Sequence, residues 1–304
     1  LNSAEPDAVA PIELLADRLV GRMAELVPCV IAFSGGVDSA LVAAAALRAE
    51  RLLAAQGHGS AAHSIAVTAL SPAVPLAQRQ VASRVAAELG IRHRTVATEE
   101  LARSDYARND TRRCFFCKQT LYRSLLAVAT ADLAEFTALG QVRIASGTNA
   151  DDLGDYRPGI AAGEAAGVQT PLADLGIGKS AVRAIAALWG LSVAELPAAP
   201  CLASRIAYGV EVTAERLARI EAAEAWLAER GFSPLRVRLH AGELARIEVA
   251  AEEIPRLIQA PLLGELRKLF HELGFRAVTV DLEGFRSGSL NRLVALRGPH
   301  TAAT

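Results

Sequence analysis

The 304-residue chain has almost no excess of charge: 32 lysines and arginines meet 33 aspartates and glutamates, a formal net charge of −1. That argues against the broad basic footprint with which proteins neutralise nucleic-acid phosphates. No apolar stretch reaches membrane-spanning length, and even the alanine-rich run after Ser39 meets Arg48, Glu50 and Arg51. Only four cysteines are present, too few for a disulfide framework, so their spacing points to metal binding or catalysis. The polar opening, Leu1 to Asp7, carries no secretory pattern. No internal repeat or low-complexity segment stands out. These absences predict a cytoplasmic enzyme with neither a nucleic-acid nor a membrane partner. With 52% apolar residues, the chain has room for two domains and their cores.

What is present is organised around one stretch. Val30-Ile31-Ala32-Phe33 reads as a strand covered on both faces. It breaks into Ser34-Gly35-Gly36-Val37-Asp38-Ser39, and a helix-favouring run, Ala40 to Ala49, follows. Two glycines at such a junction permit a tight turn and close approach of a ligand, and the helix N-terminus offers free N–H groups to phosphate. No Gly-Lys-Ser/Thr follows at Walker spacing, and there is no G-x-G-x-x-G dinucleotide fingerprint. The stretch resembles the SGGxDS loop of the PP-loop ATP pyrophosphatases, which split ATP between its α and β phosphates and adenylate a substrate oxygen. A ligand-free strand–turn–helix corner is the competing reading. Asp38 suits the helix dipole by itself; beside bound phosphates it suits Mg²⁺.

Around this stretch, strand and helix alternate. Ile12, Leu15, Leu19, Met23 and Leu26 recur at helical spacing, and strands are expected at 64–70, 91–96 and 142–146, with helices over 75–89 and 113–133. That order predicts an α/β fold, a doubly wound parallel sheet of PP-loop, Rossmann-like type, with ligands at the carboxyl ends of its strands. Thr68 closes the second strand and is a candidate ATP-binding residue. Ser146-Gly147-Thr148-Asn149-Ala150-Asp151-Asp152-Leu153-Gly154-Asp155 closes the fourth, either as a solvated Asx-rich turn or as the completion of a Mg²⁺–ATP site through Gly147, Thr148, Asn149 and Asp151. A helix over 180–189 ends at Gly190. Pro197 and Pro200 then mark a hinge, dividing the chain into domains 1–195 and 196–304. Beyond it, Thr213 caps a helix to Arg230, two strands follow at 235–240 and 245–249, then a helix over 252–273 and a strand over 277–282. This is a smaller α+β domain.

Cys114-Phe115-Phe116-Cys117 is a C-x-x-C at a helix start, beside Arg112, Arg113 and Lys118. It is half of a zinc site, a redox pair or a pair of cluster ligands. No second C-x-x-C and no histidine at finger spacing support zinc, and the context is not that of thioredoxin. Cys29, at the start of the first strand, reads as core. Cys201 lies in the proline-rich hinge with Arg205 four residues on, either packed or serving as a nucleophile or ligand.

Four blocks resemble the LarE family of ATP-dependent sulfur transferases, which act in the biosynthesis of a nickel-pincer nucleotide. They are Arg113 to Lys118, Ser146 to Gly159, Pro200-Cys201-Leu202-Ala203-Ser204-Arg205-Ile206-Ala207-Tyr208-Gly209, and Asp281 to Asn291. The resemblance runs from about residue 12 to 291. It implies adenylation of a carboxylate of pyridinium-3,5-biscarboxylic acid mononucleotide, release of pyrophosphate, and displacement of AMP by sulfur. Ser34, Gly35, Gly36, Asp38 and Ser39 would bind ATP, with Asp38 on Mg²⁺. In single-cysteine members the cysteine matching Cys201 surrenders its own sulfur. The added Cys114 and Cys117 place this chain with the three-cysteine type, whose trio holds a 4Fe–4S cluster. Arg236 and Arg238 share one strand face by alternation and match basic residues of the family's substrate pocket, with Arg205 and Glu248 beside them; a solvated sheet edge is the alternative. The resemblance further implies a homo-oligomer, hexamers included, and a sulfide source. Another PP-loop enzyme, a tRNA thiolase or an NAD synthetase-like ligase, is the alternative activity. A third reading is a nucleotide-binding regulator without turnover, which has no evident use for loop, acids and hinge cysteine together.

Overall fold

The computed structural model describes residues 11–59, 63–132, 142–154 and 158–286. Ser60, Asp155 to Arg157 and the last part of the fourth block, 287–291, lie outside the described residues. The helices are α1 (Ile12–Ala24), α2 (Val37–Ala55), α3 (Leu76–Leu89), α4 (Ser104–Ala107), α5 (Arg113–Asp132), α6 (Ala150–Leu153), α7 (Pro158–Ala165), α8 (Pro171–Asp174), α9 (Lys179–Leu188), α10 (Ala214–Glu229), α11 (Ile254–Leu257) and α12 (Leu262–Glu272). The strands are β1 (Val30–Ala32), β2 (Ile65–Leu70), β3 (Arg92–Ala97), β4 (Ile144–Ser146), β5 (Leu235–His240), β6 (Leu244–Val249) and β7 (Ala277–Val280). Two compact units result: 1–100 with 114–199, and 101–113 with 200–304.

In the first unit four parallel strands run in the order β3-β2-β1-β4, with Ile31 opposite Ala66 on one side and Ala145 on the other. Successive side chains of a strand point to opposite faces. Ile31, Ala66 and Ala145 therefore join the core beneath α1, α2 and α9, while Val30, Ile65, Val67 and Ile144 pack with Tyr122, Leu125 and Ala129 of α5. Both faces are covered, as a doubly wound sheet requires. Helix α2 is buried through Ala40 to Ala46, so its small side chains let neighbouring elements close on it. Gly90, in the left-handed region at φ 69°, ends α3 as expected. The fourth-strand loop is not a bare turn: Asn149 caps the short α6, accepting from the Asp151 N–H while its own N–H donates to Asp152.

The second unit has a three-stranded sheet, β5-β6-β7, with β5 antiparallel and β7 parallel to β6. One face is apolar, with Val237, Leu239, Ala245, Ile247 and Val249 fully buried alongside Leu217, Ile220, Ala223 and Leu227 of α10. Thr213 accepts a hydrogen bond from the Arg216 N–H and caps α10. The continuous helix expected over 252–273 is broken into a 3₁₀ turn, α11 and α12. Pro255 sits in the first turn of α11 and Pro261 precedes α12, positions where a missing N–H is tolerated at a helix start but not inside one. Strand β7 ends at Val280, where the chain turns.

Segment 101–113 joins this second unit through backbone hydrogen bonds, from Gly209 to Asn109 and from Val212 to Ala107, and through two buried side chains, Asn109 and Arg113, the latter donating to the Ala203 carbonyl (2.8 Å). Asn109, itself left-handed at φ 57°, donates from Nδ2 to the carbonyls of Ala207 (2.9 Å) and Val210 (2.8 Å), and its Oδ1 accepts from Arg113 (2.6 Å). Among the described residues no helix is long and apolar enough to cross a membrane. Asn109→Ala takes the donor from two carbonyls and one acceptor from Arg113, which keeps its bond to the Ala203 carbonyl, and unfolding by urea should show a loss of about 1–3 kcal/mol. An unchanged midpoint would remove Asn109 as the tie.

Candidate functional site

The loop after β1 is shaped from within. Gly35 lies at φ 74°, and a Cβ on it would stand 2.5 Å from the Ala82 Cα. No other residue fits there without moving α3. The Ser39 hydroxyl donates to the Gly36 carbonyl (3.0 Å) and accepts from the Ser34 N–H (3.2 Å), while the Ser34 hydroxyl accepts from the Gly36 N–H (3.3 Å). Both serines thus hold the turn that leads into α2. From the neighbouring strand, Gly147 brings the second loop so close that a Cβ would stand 2.7 Å from the Ser39 nitrogen.

This approach brings Asp38 to two partners. Asn149 donates from Nδ2 to Asp38 Oδ1 (3.0 Å), and the Lys179 ammonium meets Oδ2 (2.5 Å). Lys179 opens α9, and its backbone N–H donates to Asp151 Oδ2 (2.7 Å). Gly178 leaves room for that carboxylate, since a Cβ would stand 2.8 Å from Asp151 Oδ1. Asp38, Asn149 and Asp151, three of the sequence-predicted residues, therefore converge. Thr148 bonds to the Ser146 hydroxyl (3.0 Å) and accepts the Ala173 N–H on its carbonyl, locking the loop to α8.

Thr68 is placed differently. Its hydroxyl donates to the Phe33 carbonyl (2.8 Å) and, with its one proton used, accepts from His93 Nε2 (2.8 Å). Burial lowers the His93 pKa, so the ring is neutral and carries its proton on Nε2. Thr68 braces β1 against β3.

In the second unit Cys201, half-buried, precedes a 3₁₀ turn, Leu202–Arg205. The Cys201 carbonyl accepts from the Ser204 hydroxyl (2.7 Å) and from Arg205 (3.0 Å), which also donates to the Pro200 carbonyl (2.6 Å). Arg205 in turn makes a paired contact with Glu224 (3.1 and 3.2 Å), whose Oε1 also accepts the Val237 N–H. Arg205 thus fixes the cysteine turn to β5 and α10.

Arg236 and Arg238 do share a face, together with His240 on β5 and Arg246 and Glu248 on β6. Glu248 is fully buried and accepts from both Arg238 (2.9 Å) and Arg246 (2.9 Å). Arg238 also donates to the Ser204 carbonyl (3.1 Å). Arg236 lies over the Phe285 ring (5.2 Å) and, among the described residues, has no carboxylate within ion-pair distance. Burial first, and then repulsion from Arg205, lowers its pKa. A half-buried cation in that position invites an anion.

Cys29 is fully buried in the core against Ser64, and that burial pushes its thiol up to about 12. Cys114 is exposed and Cys117 half-buried, one turn apart on α5 in the first unit, whereas Cys201 belongs to the second. Among the described residues no group of three or more His, Cys, Asp or Glu stands together to hold a metal.

Sequence reasoning missed Lys179 and Glu224. Lys179 carried a signal: a cation in the first turn of a helix opposes the macrodipole and asks for a local acid. Glu224 carried none, because it lies in the polar stripe of α10 and only the fold brings it to Arg205.

Residues 12–113 match the asparagine synthase family. The chain is 42% identical over 283 residues to a Synechocystis sp. protein described as uncharacterized protein slr1717, covering 93% of this chain and 99% of that one. It is 31% identical over 273 residues to the pyridinium-3,5-bisthiocarboxylic acid mononucleotide synthase of Lactiplantibacillus plantarum, covering 90% and 92%. Among solved structures, an NH3-dependent NAD synthetase from Campylobacter jejuni covers 87% of this chain and 96% of its own at 17% identity, with a TM-score of 0.44.

Exposure orders the cysteines. Treatment of the native protein with iodoacetamide should label Cys114, Cys117 and Cys201 and leave Cys29 untouched until denaturant is added, as read by peptide mass spectrometry. Early labelling of Cys29 would contradict its place in the core.

Proposed function

The chain belongs to the LarE family of adenylating sulfur transferases, and from that premise we propose that it inserts sulfur into a carboxylate of pyridinium-3,5-biscarboxylic acid mononucleotide. The observation that carries the reading is the convergence of Asp38, Asn149 and Asp151 at the start of α2. A 19-residue helix presents its free N–H groups there, beside a carboxylate of the kind Mg²⁺ shares with phosphates. The donor chemistry fits a hard cation, because Asp38 and Asp151 offer oxygen and no soft ligand intervenes.

In this reading a substrate carboxylate oxygen attacks the α-phosphorus of ATP, the bond to the bridging oxygen breaks, and pyrophosphate leaves. The acyl adenylate then loses AMP to a sulfur nucleophile, because AMP is a far better leaving group than oxide. The N–H groups of α2 hold the phosphates, and Gly35 and Gly147 keep the approach open. Arg236 takes an anionic group of the nucleotide, while Arg205, Arg238 and Glu248 position the cysteine turn and the sheet face instead of binding directly.

Cys114, Cys117 and Cys201 are proposed ligands of a 4Fe–4S cluster. The donor set suits it, since none of the three cysteines is buried and two are spaced one helical turn apart. Held by Cys114, Cys117 and Cys201, such a cluster would supply the sulfur chemistry of the second step. A sulfide source would then reload the protein, and assembly into a homo-oligomer completes the proposal.

Anaerobically reconstituted protein should show the visible absorbance of a thiolate-held iron–sulfur centre and lose it on Cys114→Ala, Cys117→Ala or Cys201→Ala. A full cluster in the Cys114→Ala/Cys117→Ala variant would sink that assignment. Separately, Arg236→Met should raise the KM for the nucleotide substrate about tenfold or more with the KM for ATP unchanged. Equal effects on both would place Arg236 elsewhere.

A further inference from the structure

The sheet of the second unit ends in an open edge. Strand β7 pairs with β6 on one side, and among the described residues no strand lies on its other side. The Asp281 N–H donates to the Ile247 carbonyl (2.9 Å). Backbone direction alternates along a strand, so the N–H and C=O groups of Val278 and Val280 point away from β6. Native edges are commonly blunted with charge or proline, and Ala277-Val278-Thr279-Val280 carries neither.

Beside this edge the apolar face of the sheet lacks cover. Ala245 and Ile247 of β6 are fully buried, but Val278 and Val280, paired with them on the same face, are only half-buried. Helix α12 runs back along β7, since only residues 273–276 join the two, and a groove of about 320 Å³ separates them. Toward Val280 its walls are apolar: Leu257 and Ile258 at the end of α11, then Leu263 and Leu266 of α12. Ile258 is 50% and Leu263 36% exposed, which is unusual for side chains of that kind outside a contact surface. Toward Ala277 the walls are basic, with Arg267 and His271 from α12 and Arg276 just before the strand.

No acidic side chain lines the groove. The acids of α12 are engaged elsewhere, Glu265 with Arg230 (3.3 Å) and Glu272 with Lys268 (3.9 Å). Among the described residues neither Arg267 nor Arg276 has an acid within ion-pair distance. His271 donates from Nδ1 to the Phe275 carbonyl (3.0 Å), which fixes its ring at that end. Free backbone groups along an edge, an apolar trough beside it and cations at one end are what an extended peptide needs to add a strand. Main-chain bonds then supply affinity, and alternate side chains entering the trough supply choice.

Two occupants from this chain match the charge poorly. The same edge of a second copy offers Ala277 to Val280, with no acid among them. Residues 287–304 carry Arg292 and Arg297 and no acid, and the described chain approaches them from Phe285, whose ring lies against Arg236 on the polar face of the sheet. We propose that the groove docks an extended segment of a different protein, which pairs with β7, buries apolar side chains at alternate positions against Leu263, Leu266, Val278 and Val280, and sets an acidic side chain against Arg267 and Arg276. The site is independent of the sulfur-transfer reading, since it uses none of the residues assigned to that chemistry.

Panning a phage-displayed library of random dodecapeptides against the full chain tests the proposal. Enriched sequences should share an acidic residue and two apolar residues at alternate positions, and a fluorescent peptide of that sequence should bind by anisotropy. Methylating its backbone nitrogens should abolish binding at one alternating set of positions and leave the other set unaffected, as strand pairing requires. Arg267→Glu/Arg276→Glu should bind it about tenfold more weakly, and lysine in place of the peptide's acid should restore binding to that variant. Thermal unfolding at the wild-type temperature shows that the variant remains folded. No enriched sequence, an enriched pattern without acid, indifference to N-methylation, or affinity unchanged by the arginine reversals overturns the proposal. So does wild type that sediments as an oligomer and takes up the peptide only after Val278→Lys or Leu263→Lys dissociates it, which assigns the groove to a second copy instead.

Discussion

Two loops that follow adjacent parallel strands can share a site only if their backbones nearly touch, and glycine makes that approach sterically possible here. Gly147 lies against the backbone of Asp38 and Ser39, and Gly35 lies against Ala82. Because β1 and β4 are neighbours in register, the carboxyl ends at Ala32 and Ser146 are level. From that constraint follow the seating of Asp38 between Asn149 and Lys179, the capping role of Asp152, and the burial of Ser39. The short residues of α2 extend the same principle into the core, where alanines from Ala40 to Ala49 let α1, α3 and α9 pack closely. In the proposed reading the start of α2 is the place where a phosphate chain meets N–H groups that the helix itself leaves unpaired.

The second unit manages charge in the opposite manner. Its sheet buries Glu248 completely, and a buried carboxylate survives only with partners that return its lost solvation. Arg238 and Arg246 supply them, and Arg238 reaches on to Ser204 in the turn after Cys201. Arg205 and Glu224 fasten the same turn from the other side. Within this paired network Arg236 is the cation that has no described acid against it, which is why the proposal gives it the anionic group of the substrate.

Local pattern made much of this legible. The spacing of Ile12, Leu15, Leu19 and Met23 marked α1, the strand–glycine–glycine junction marked the phosphate loop, and alternation of strands and helices implied the parallel sheet. Alternation on β5 correctly put Arg236 and Arg238 on one face. What stayed hidden depends on partners distant in sequence. Nothing local shows that Asn109 will bind carbonyls about a hundred residues away and carry segment 101–113 into the second unit. Lys179 likewise reads as an ordinary helix cation until the fold sets it on Asp38. The break between α11 and α12 was legible in Pro255 and Pro261 and yields to a simple rule about proline inside helices.

The central claim is that this chain exchanges a carboxylate oxygen of a pyridinium nucleotide for sulfur at the expense of ATP. Anaerobic turnover with the biscarboxylated nucleotide, Mg²⁺–ATP and a sulfide source, with the nucleotide products analysed by mass spectrometry, tests it most directly. The account predicts a product heavier by the difference between a sulfur and an oxygen atom, formed together with AMP and pyrophosphate. AMP and pyrophosphate released while the nucleotide returns with its oxygens unchanged, or a product carrying nitrogen in place of sulfur, would contradict it.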